Sequence, residues 1–462
     1  MLLSFSITNF RSFREEQTIS MLASKRLRAA AEPLRCREIP GTDEHALRVA
    51  SLYGANGAGK SNLVQAISIL RQLVLDGTPV GKRILRKPFL LDDESQDEPT
   101  VIELQFISRG EVFRYGVSYD ENRIHEEWLS VYEGGKEHNL FDRANTKDGA
   151  VSVSLGPLSK CSASHPGKVE SLAEVGARPN QLFLTQVVNL GDPVAQGPRF
   201  ESVVRWFSTT LKIIEADAPF VSLAGKIATD HEFAEFAASF LREANTGISS
   251  LDVRTTEVSS SGLPTDLTEV LEKALDDMPQ DHSFSVGDAG EELFRESENK
   301  GSLKFRKIVA LHDRETDEKT ALPLDEESDG SKRLLNLLPA LHRLVGEGGV
   351  FVVDELERSM HPMLARKFVE FFIKAGGNGN SQLIFTTHES NLLDLNLVRR
   401  DGIWFAEKDR EGATHLHSLA DFKVRNDLRI EKGYLEGRFG AIPFLGGIDH
   451  LIEEQGTAET SK

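Results

Sequence analysis

Val49-Ala50-Ser51-Leu52-Tyr53-Gly54-Ala55-Asn56-Gly57-Ala58-Gly59-Lys60-Ser61-Asn62-Leu63 decides how this chain folds. An apolar run leads into glycines that match GxxxxGK[ST], and Leu63, Ile67, Leu70 and Val74 follow, spaced four, three and four apart. The run reads as a strand and Ser61 to Leu75 as an amphipathic helix, so the loop lies where a phosphate-binding loop must lie. Gly54, Gly57 and Gly59 let successive N–H groups turn toward one point, and the helix N-terminus adds favourable potential for an anion. Lys60 is then placed to reach β- and γ-phosphates, and Ser61 to offer a hydroxyl to Mg2+. The alternative, a glycine-rich structural turn, does not account for the strand-loop-helix order.

A second motif lies far downstream. Gly349-Val350-Phe351-Val352-Val353-Asp354-Glu355 is an apolar strand ending in two carboxylates. Burial of Phe351 to Val353 fixes the strand end near the phosphates, where Asp354 holds Mg2+ and Glu355 orients or deprotonates a water. Its bland counterpart is an acidic cap on a core strand.

Composition bounds the rest. The chain has 462 residues, 39% hydrophobic and 27% charged, a soluble balance that calls for two or three lobes. With 54 Lys and Arg against 72 Asp and Glu, its formal charge is −18, which excludes a broad basic face for sequence-independent phosphate contact. Cys36 and Cys161 have no CxxC or Cys/His spacing, so neither a disulfide framework nor a zinc site is indicated. The N-terminus lacks a positive n-region and no window is apolar enough to span a bilayer; the expectation is a cytoplasmic protein without membrane contact.

The period of the pattern divides the chain. Leu3, Phe5 and Ile7 alternate, as do segments near 101–107, 111–119 and 124–132, which predicts an antiparallel β layer within 1–200. Residues 141–180 are rich in Ser, Gly, Pro and charge and read as a surface excursion. The stretch 201–302 reads as a helical insertion, with one stripe at Phe233, Phe236, Phe240 and Leu241 and another at Leu267, Val270, Leu271, Ala274, Leu275 and Met278. From 303 to 407 strands at Val350–Val353, Leu383–Thr386 and Ile403–Ala406 alternate with helices, an α/β pattern, and 408–462 is a C-terminal extension.

The run Asp325-Glu326-Glu327-Ser328-Asp329-Gly330-Ser331-Lys332-Arg333, a leucine-rich helix, Asp354-Glu355, then Glu357-Arg358-Ser359-Met360-His361-Pro362 and Thr386-Thr387-His388 resembles the ABC-type ATPase head of the SMC, RecF and OLD group within the AAA ATPases. Asn9-Phe10-Arg11-Ser12-Phe13 and the Asn56 and Asn62 around the loop are similar to the same group. The resemblance covers most of 1–110 and 303–407. It implies a P-loop NTPase of ABC-ATPase/SMC-head type with two lobes, 1–200 and 303–407, that binds ATP and Mg2+ and hydrolyses ATP.

The same resemblance implies residue roles. Ser328 and Gly330 resemble a degenerate signature motif that contacts the γ-phosphate held by another subunit, so ATP is sandwiched in a homodimer, and larger assemblies stay open. Ser359 and His361 fall in the D-loop, His388 resembles the switch histidine, Arg11 a nucleotide-contacting residue and Gln186 the lobe-joining, metal-side glutamine. Each has a plainer reading: Ser328 as a helix cap, His388 as a strand-end cap, Gln186 as an ordinary helix residue, Arg11 as a partner of Glu15 or Glu16. The signature reads Glu327-Ser328-Asp329-Gly330-Ser331 rather than LSGGQ and lies far beyond Lys60 in sequence, which disfavours a transporter. In 408–462 no DxD pair indicates a Toprim domain, and His415 and His417 have no nuclease spacing. Tyr434 to Pro443 resembles the tail of stand-alone ATPases of antiphage systems such as PARIS and Septu, which implies a separately encoded effector, nuclease or toxin. The alternative is a RecF/SMC-like ATPase of DNA repair or maintenance, for which Lys25, Arg26, Arg28, Arg35, Arg37 and Lys82, Arg83, Arg86, Lys87 are the candidate nucleic-acid contacts.

Overall fold

The computed structural model describes residues 1–27, 32, 34–145, 150–159, 168–175, 177–216, 222–257, 283–286, 290–295, 303–316, 318–346, 348–375, 381–422 and 430–441. Among these residues a six-stranded sheet lies at the centre, ordered Leu211–Ile214, Gly349–Val353, Ser381–Thr387, Val49–Tyr53, Ile403–Lys408 and Thr414–Ser418. The first five are parallel and the last is antiparallel. Parallel strands are covered on both faces and so read as continuous apolar runs. Ala50, Leu52, Val350, Val352 and Ile384 face one core, whereas Val49, Tyr53, Phe351, Val353, Leu383 and Phe385 face the other.

The first core is closed by a seven-stranded antiparallel sheet, again among the described residues, ordered Val151–Leu155, Lys136–Asn145, Ile124–Glu133, Glu111–Tyr119, Thr100–Ser108, Leu2–Thr8 and Gln17–Ser20. The helix Lys60–Leu75 packs between the two sheets through Leu63, Ile67, Leu70 and Val74, as the spacing predicts. Residues 141–180 depart from the surface excursion. Val151–Leu155 adds an edge strand, registered Val151 to Asn145, and Lys168–Val175 is helical with Val169 buried.

The second core holds the helices Leu223–Thr229, His231–Glu243, Asp329–Gly346 and Pro362–Ala375. Asp230 caps the second of them, its carboxylate accepting from Phe233 N–H at 2.9 Å. The helical reading of 201–302 is corrected in two places. Leu211–Ile214 is the edge strand of the central sheet, and Ile248–Glu257 pairs antiparallel with Leu303–Asp313, beside Glu291–Arg295 and Ser283–Val286. Val253 and Thr255 alternate along a strand whose partner is some fifty residues away, and that pairing outweighs local propensity. The second helical stripe, Leu267 to Met278, lies outside the described residues, as does Cys161. Among the described residues no helix is long and apolar enough to cross a membrane.

Candidate functional site

The parallel register brings the ends of four strands to one edge. Tyr53 is opposite Thr387, Phe385 opposite Val353, and Val353 opposite Ile214. The next residues in each chain direction are therefore neighbours: Gly54 opening the loop, His388, Asp354 and Glu355, and Glu215. In an open α/β sheet this carboxyl edge is where ligands bind.

The loop itself is built by close approach. Gly59 has φ +106°, and a Cβ there would lie 2.3 Å from Thr414 Oγ1 and 2.8 Å from Ser12 Oγ. Those hydroxyls are 2.7 Å apart, Asn62 Nδ2 donates to Ser12 Oγ at 2.7 Å, and Thr414 Oγ1 is 2.9 Å from the Ala58 carbonyl. Asn62 thus ties the helix to the N-terminal turn and the last strand. Gly57, at φ +79°, and Asn56 stand exposed at the tip.

Lys60 is 6% exposed, and its ammonium donates to the carbonyls of Gly54 (2.6 Å) and Ala55 (3.1 Å). Burial holds it below the ordinary lysine value, opposed by the charges of Glu357, Glu355 and Asp354. A desolvated cation facing three carboxylates beside a phosphate-binding loop is set for a polyphosphate and its cation.

The acidic strand end is held rigidly. Thr386 Oγ1 donates to Asp354 Oδ1 at 2.5 Å and accepts from Glu355 N–H at 2.8 Å. Arg333, on the helix that follows Ser328, donates to the carbonyls of Glu215 (3.3 Å), Asp354 (2.8 Å) and Glu355 (3.3 Å). Glu355 adopts φ +46°, a left-handed backbone that turns its side chain out of the strand and that a non-glycine residue keeps only when its surroundings enforce it. Glu357 is buried, and its Oε1 accepts the His388 N–H at 2.8 Å and lies 3.1 Å from His388 Nδ1. Its Oε2 is buried without a hydrogen bond.

Sequence reasoning missed Glu357, Arg333 and Glu215. Glu215 ends the edge strand, and its Oε1 accepts from Ser68 of the P-loop helix at 3.0 Å. The available signal was a carboxylate directly after an apolar run. Gln186 is a correction. It lies on the helix Phe183–Val188, whose Thr185 donates to the Leu73 carbonyl at 2.7 Å. At 1.5 Å per helical residue that point is about 20 Å from Lys60, so Gln186 is no metal-side ligand.

Arg11, at φ +51°, extends from the turn that carries Ser12, and its guanidinium makes no ion pair with Glu15, Glu16 or any other described residue. Ser328 and Gly330 stand elsewhere. Ser328 Oγ caps the helix Asp329–Gly346 by accepting from Ser331 N–H at 3.1 Å, and a Cβ on Gly330 would lie 2.7 Å from the Ser359 carbonyl. With Ser359 (φ +58°) and His361 they line an open cavity of about 650 Å³. Among the described residues no hydrogen bond joins Ser328 or Gly330 to loop 54–61.

The residues fit Mg2+ at Ser61 and Asp354. A small hard cation is normally held by one or two such oxygens and by substrate phosphates, and Asp354 is already fixed by Thr386.

Sheet order, loop and acidic strand define a P-loop NTPase of the ABC/SMC-head class. A family model described as "AAA domain, putative AbiEii toxin, Type IV TA system" matches residues 49–155 and 229–394, and the chain belongs to this family. No curated protein matches the chain. Solved structures similar to it include an SMC head domain from Thermotoga maritima, 14% identical over 90% of this chain and 98% of that one with a TM-score of 0.35. Another is an Smc head with an extended coiled coil bound to the C-terminal domain of ScpA, from Pyrococcus furiosus, at 13% identity, 95% and 99% coverage and a TM-score of 0.36.

Proposed function

We propose that this chain is an ATPase in which two copies close over two Mg-ATP molecules and, by binding and hydrolysing them, control a separately encoded effector in prokaryotic antiphage defence. One observation carries the reading: Lys60, Asp354, Glu355 and His388 converge at one sheet edge, while Ser328, Gly330 and Ser359 form a second, open surface that none of them reaches. Half of a site on each face is what a sandwich of two chains completes.

The residues divide the work. Lys60 exchanges the Gly54 and Ala55 carbonyls for the β- and γ-phosphate oxygens. Glu355 accepts a proton from water as its oxygen bonds to the γ-phosphorus; the bond to the β–γ bridging oxygen breaks, releasing ADP and phosphate. His388, held by Glu357, faces the departing phosphoryl group, and Ser328 of the second copy donates to it. Ser61 and Asp354 would hold Mg2+, which would supply neutralisation of phosphate charge.

The family's description includes a toxin–antitoxin system, which agrees with an ATPase acting on a second polypeptide. The DNA-repair reading draws less support. Lys25 pairs with Glu44 at 3.3 Å, Arg35 donates to the Leu395 and Asn396 carbonyls, Arg83 pairs with Glu121 at 3.0 Å and Arg86 serves backbone carbonyls. Arg28 lies outside the described residues. Steady-state ATP hydrolysis with and without duplex DNA, with Glu355→Gln as the blank, tests the proposal. A slow rate indifferent to DNA is expected; strong stimulation by DNA favours the repair reading, and no turnover above the blank ends the ATPase reading.

A further inference from the structure

A cavity of about 1370 Å³ opens at the opposite edge of the central sheet. Gly348 and Gly349, where the acidic strand begins, and Thr209 and Thr210, which precede the edge strand, form part of its wall. A five-residue strand spans about 16 Å, so this space is distinct from the site at the carboxyl ends.

Four arginines from four elements line it. Arg37 comes from the strand Cys36–Glu38, Arg109 from the turn after Thr100–Ser108, Arg205 from the end of the helix Pro198–Arg205 and Arg343 from the helix Asp329–Gly346. Among the described lining residues Glu38 is the one carboxylate. Arg109 is paired with Glu201, at 2.7 Å from Nη2 to Oε1. Arg37 and Arg205 are exposed, and their side chains make no ion pair or hydrogen bond with any described residue. Burial, with a smaller contribution from the charge of Arg37 and opposed by Cys36, holds the neighbouring Arg48 below the ordinary arginine value. In a chain of net charge −18 this concentration of arginine is a local feature.

The chemistry of the wall selects a ligand class. Guanidinium forks bind phosphoryl oxygens in pairs. An extended nucleic acid needs a basic track, whereas these arginines line one concave space. No Phe, Tyr or Trp is among the described lining residues, so no platform for stacked bases is present. We propose that this cavity binds a compact polyphosphate, a small molecule carrying two or more adjacent phosphoryl groups, separately from the nucleotide held by the P-loop.

The test is isothermal titration of inorganic tripolyphosphate into the full chain carrying Lys60→Ala, which removes the P-loop as a competing site. Binding of one equivalent is expected, weakened about tenfold or more, roughly 1.4 kcal/mol, when Arg37→Ala and Arg205→Ala are added. Both side chains are exposed, so unchanged thermal melting is the folding control. Where Lys60→Ala does not fold, the wild-type chain serves, with two equivalents expected and one lost with the arginines. ATP binding more tightly than tripolyphosphate would assign a nucleoside polyphosphate, and equal affinity a bare phosphate chain. The proposal is overturned by no binding at millimolar tripolyphosphate, by affinity indifferent to the arginines, or by arginine-dependent binding of a 5′-phosphorylated oligonucleotide without binding of tripolyphosphate.

Discussion

Glu357 holds His388 at two points, its Oε1 accepting the backbone N–H at 2.8 Å and lying 3.1 Å from ring Nδ1. The histidine is half exposed while the carboxylate is buried, so the position of the ring is set from below. Glu357→Ala should therefore lower kcat about as much as His388→Ala, roughly a hundredfold, with KM for ATP changed by about threefold or less. The double variant should be little worse than either single one, because the two act as a unit. Additive losses in ATPase assays would show that Glu357 acts on something other than the histidine.

Glu355 faces the site from a strained backbone, and its carboxylate is 3.5 Å from Arg358 Nη1. Glu355→Gln keeps shape and hydrogen-bonding reach but cannot take a proton. Turnover should fall by roughly 10²- to 10⁴-fold while ATP affinity persists, and light scattering with Mg-ATP should show two copies held together. Equal turnover in wild type and variant would remove Glu355 from the chemistry.

The positions of loop 54–61, of Asp354 and Glu355 and of His388 were legible because each follows a buried parallel strand, whose uninterrupted apolar run marks it in the sequence. Leu211–Ile214 escaped notice because a four-residue strand gains its identity only from pairing with Val350 to Val353, far along the chain. Glu215 was lost with it. Arg333 was hidden for another reason. Its role is to serve backbone carbonyls, which leave no trace in side-chain pattern. Gln186 was assigned from the resemblance alone, and a helix of six residues has no periodicity of its own to test that assignment.

Gly59→Ala tests the loop geometry. The new methyl would meet Thr414 Oγ1 and Ser12 Oγ in a backbone conformation that favours glycine. A loss of about 1–3 kcal/mol in urea unfolding and of measurable ATP binding is expected. Thr414→Ala in the same chain should relieve the contact with Thr414 but neither that with Ser12 nor the backbone strain, and so restore only part of the stability.

Cys36 is buried at the rim of the arginine-lined cavity, and burial pushes its thiol from 9.0 up to about 11. A raised acid value means that the thiol's contribution is full below pH 9 and is lost as pH rises toward 11. The stability gap between wild type and Cys36→Ala, measured by urea unfolding, should narrow by about 2–3 kcal/mol across that window. Maleimide should label the folded chain slowly at neutral pH. A gap independent of pH would show that the thiol is not desolvated.

Tyr434 joins the C-terminal segment to the P-loop strand. Its ring stacks on Phe405, with centroids 5.8 Å apart, and meets Tyr53 edge-on at 5.8 Å, while its hydroxyl donates to the Ala441 carbonyl at 3.2 Å. Phe439 also stacks on Phe405, at 5.5 Å, and Ala441 N–H donates to Glu407 at 3.2 Å. Residues 430–441 are thus part of the second core, through Ile430, Tyr434, Phe439 and Ala441. Tyr53 immediately precedes Gly54, so loss of this packing should be felt in the loop. Tyr434→Ala should cost about 3–5 kcal/mol and weaken ATP binding, whereas Tyr434→Phe should cost about 1 kcal/mol and leave ATP binding intact. If Tyr434→Ala unfolds at the wild-type urea concentration, the segment is not docked; if it loses stability but keeps ATP affinity, the brace ends at Phe405 and does not reach the loop.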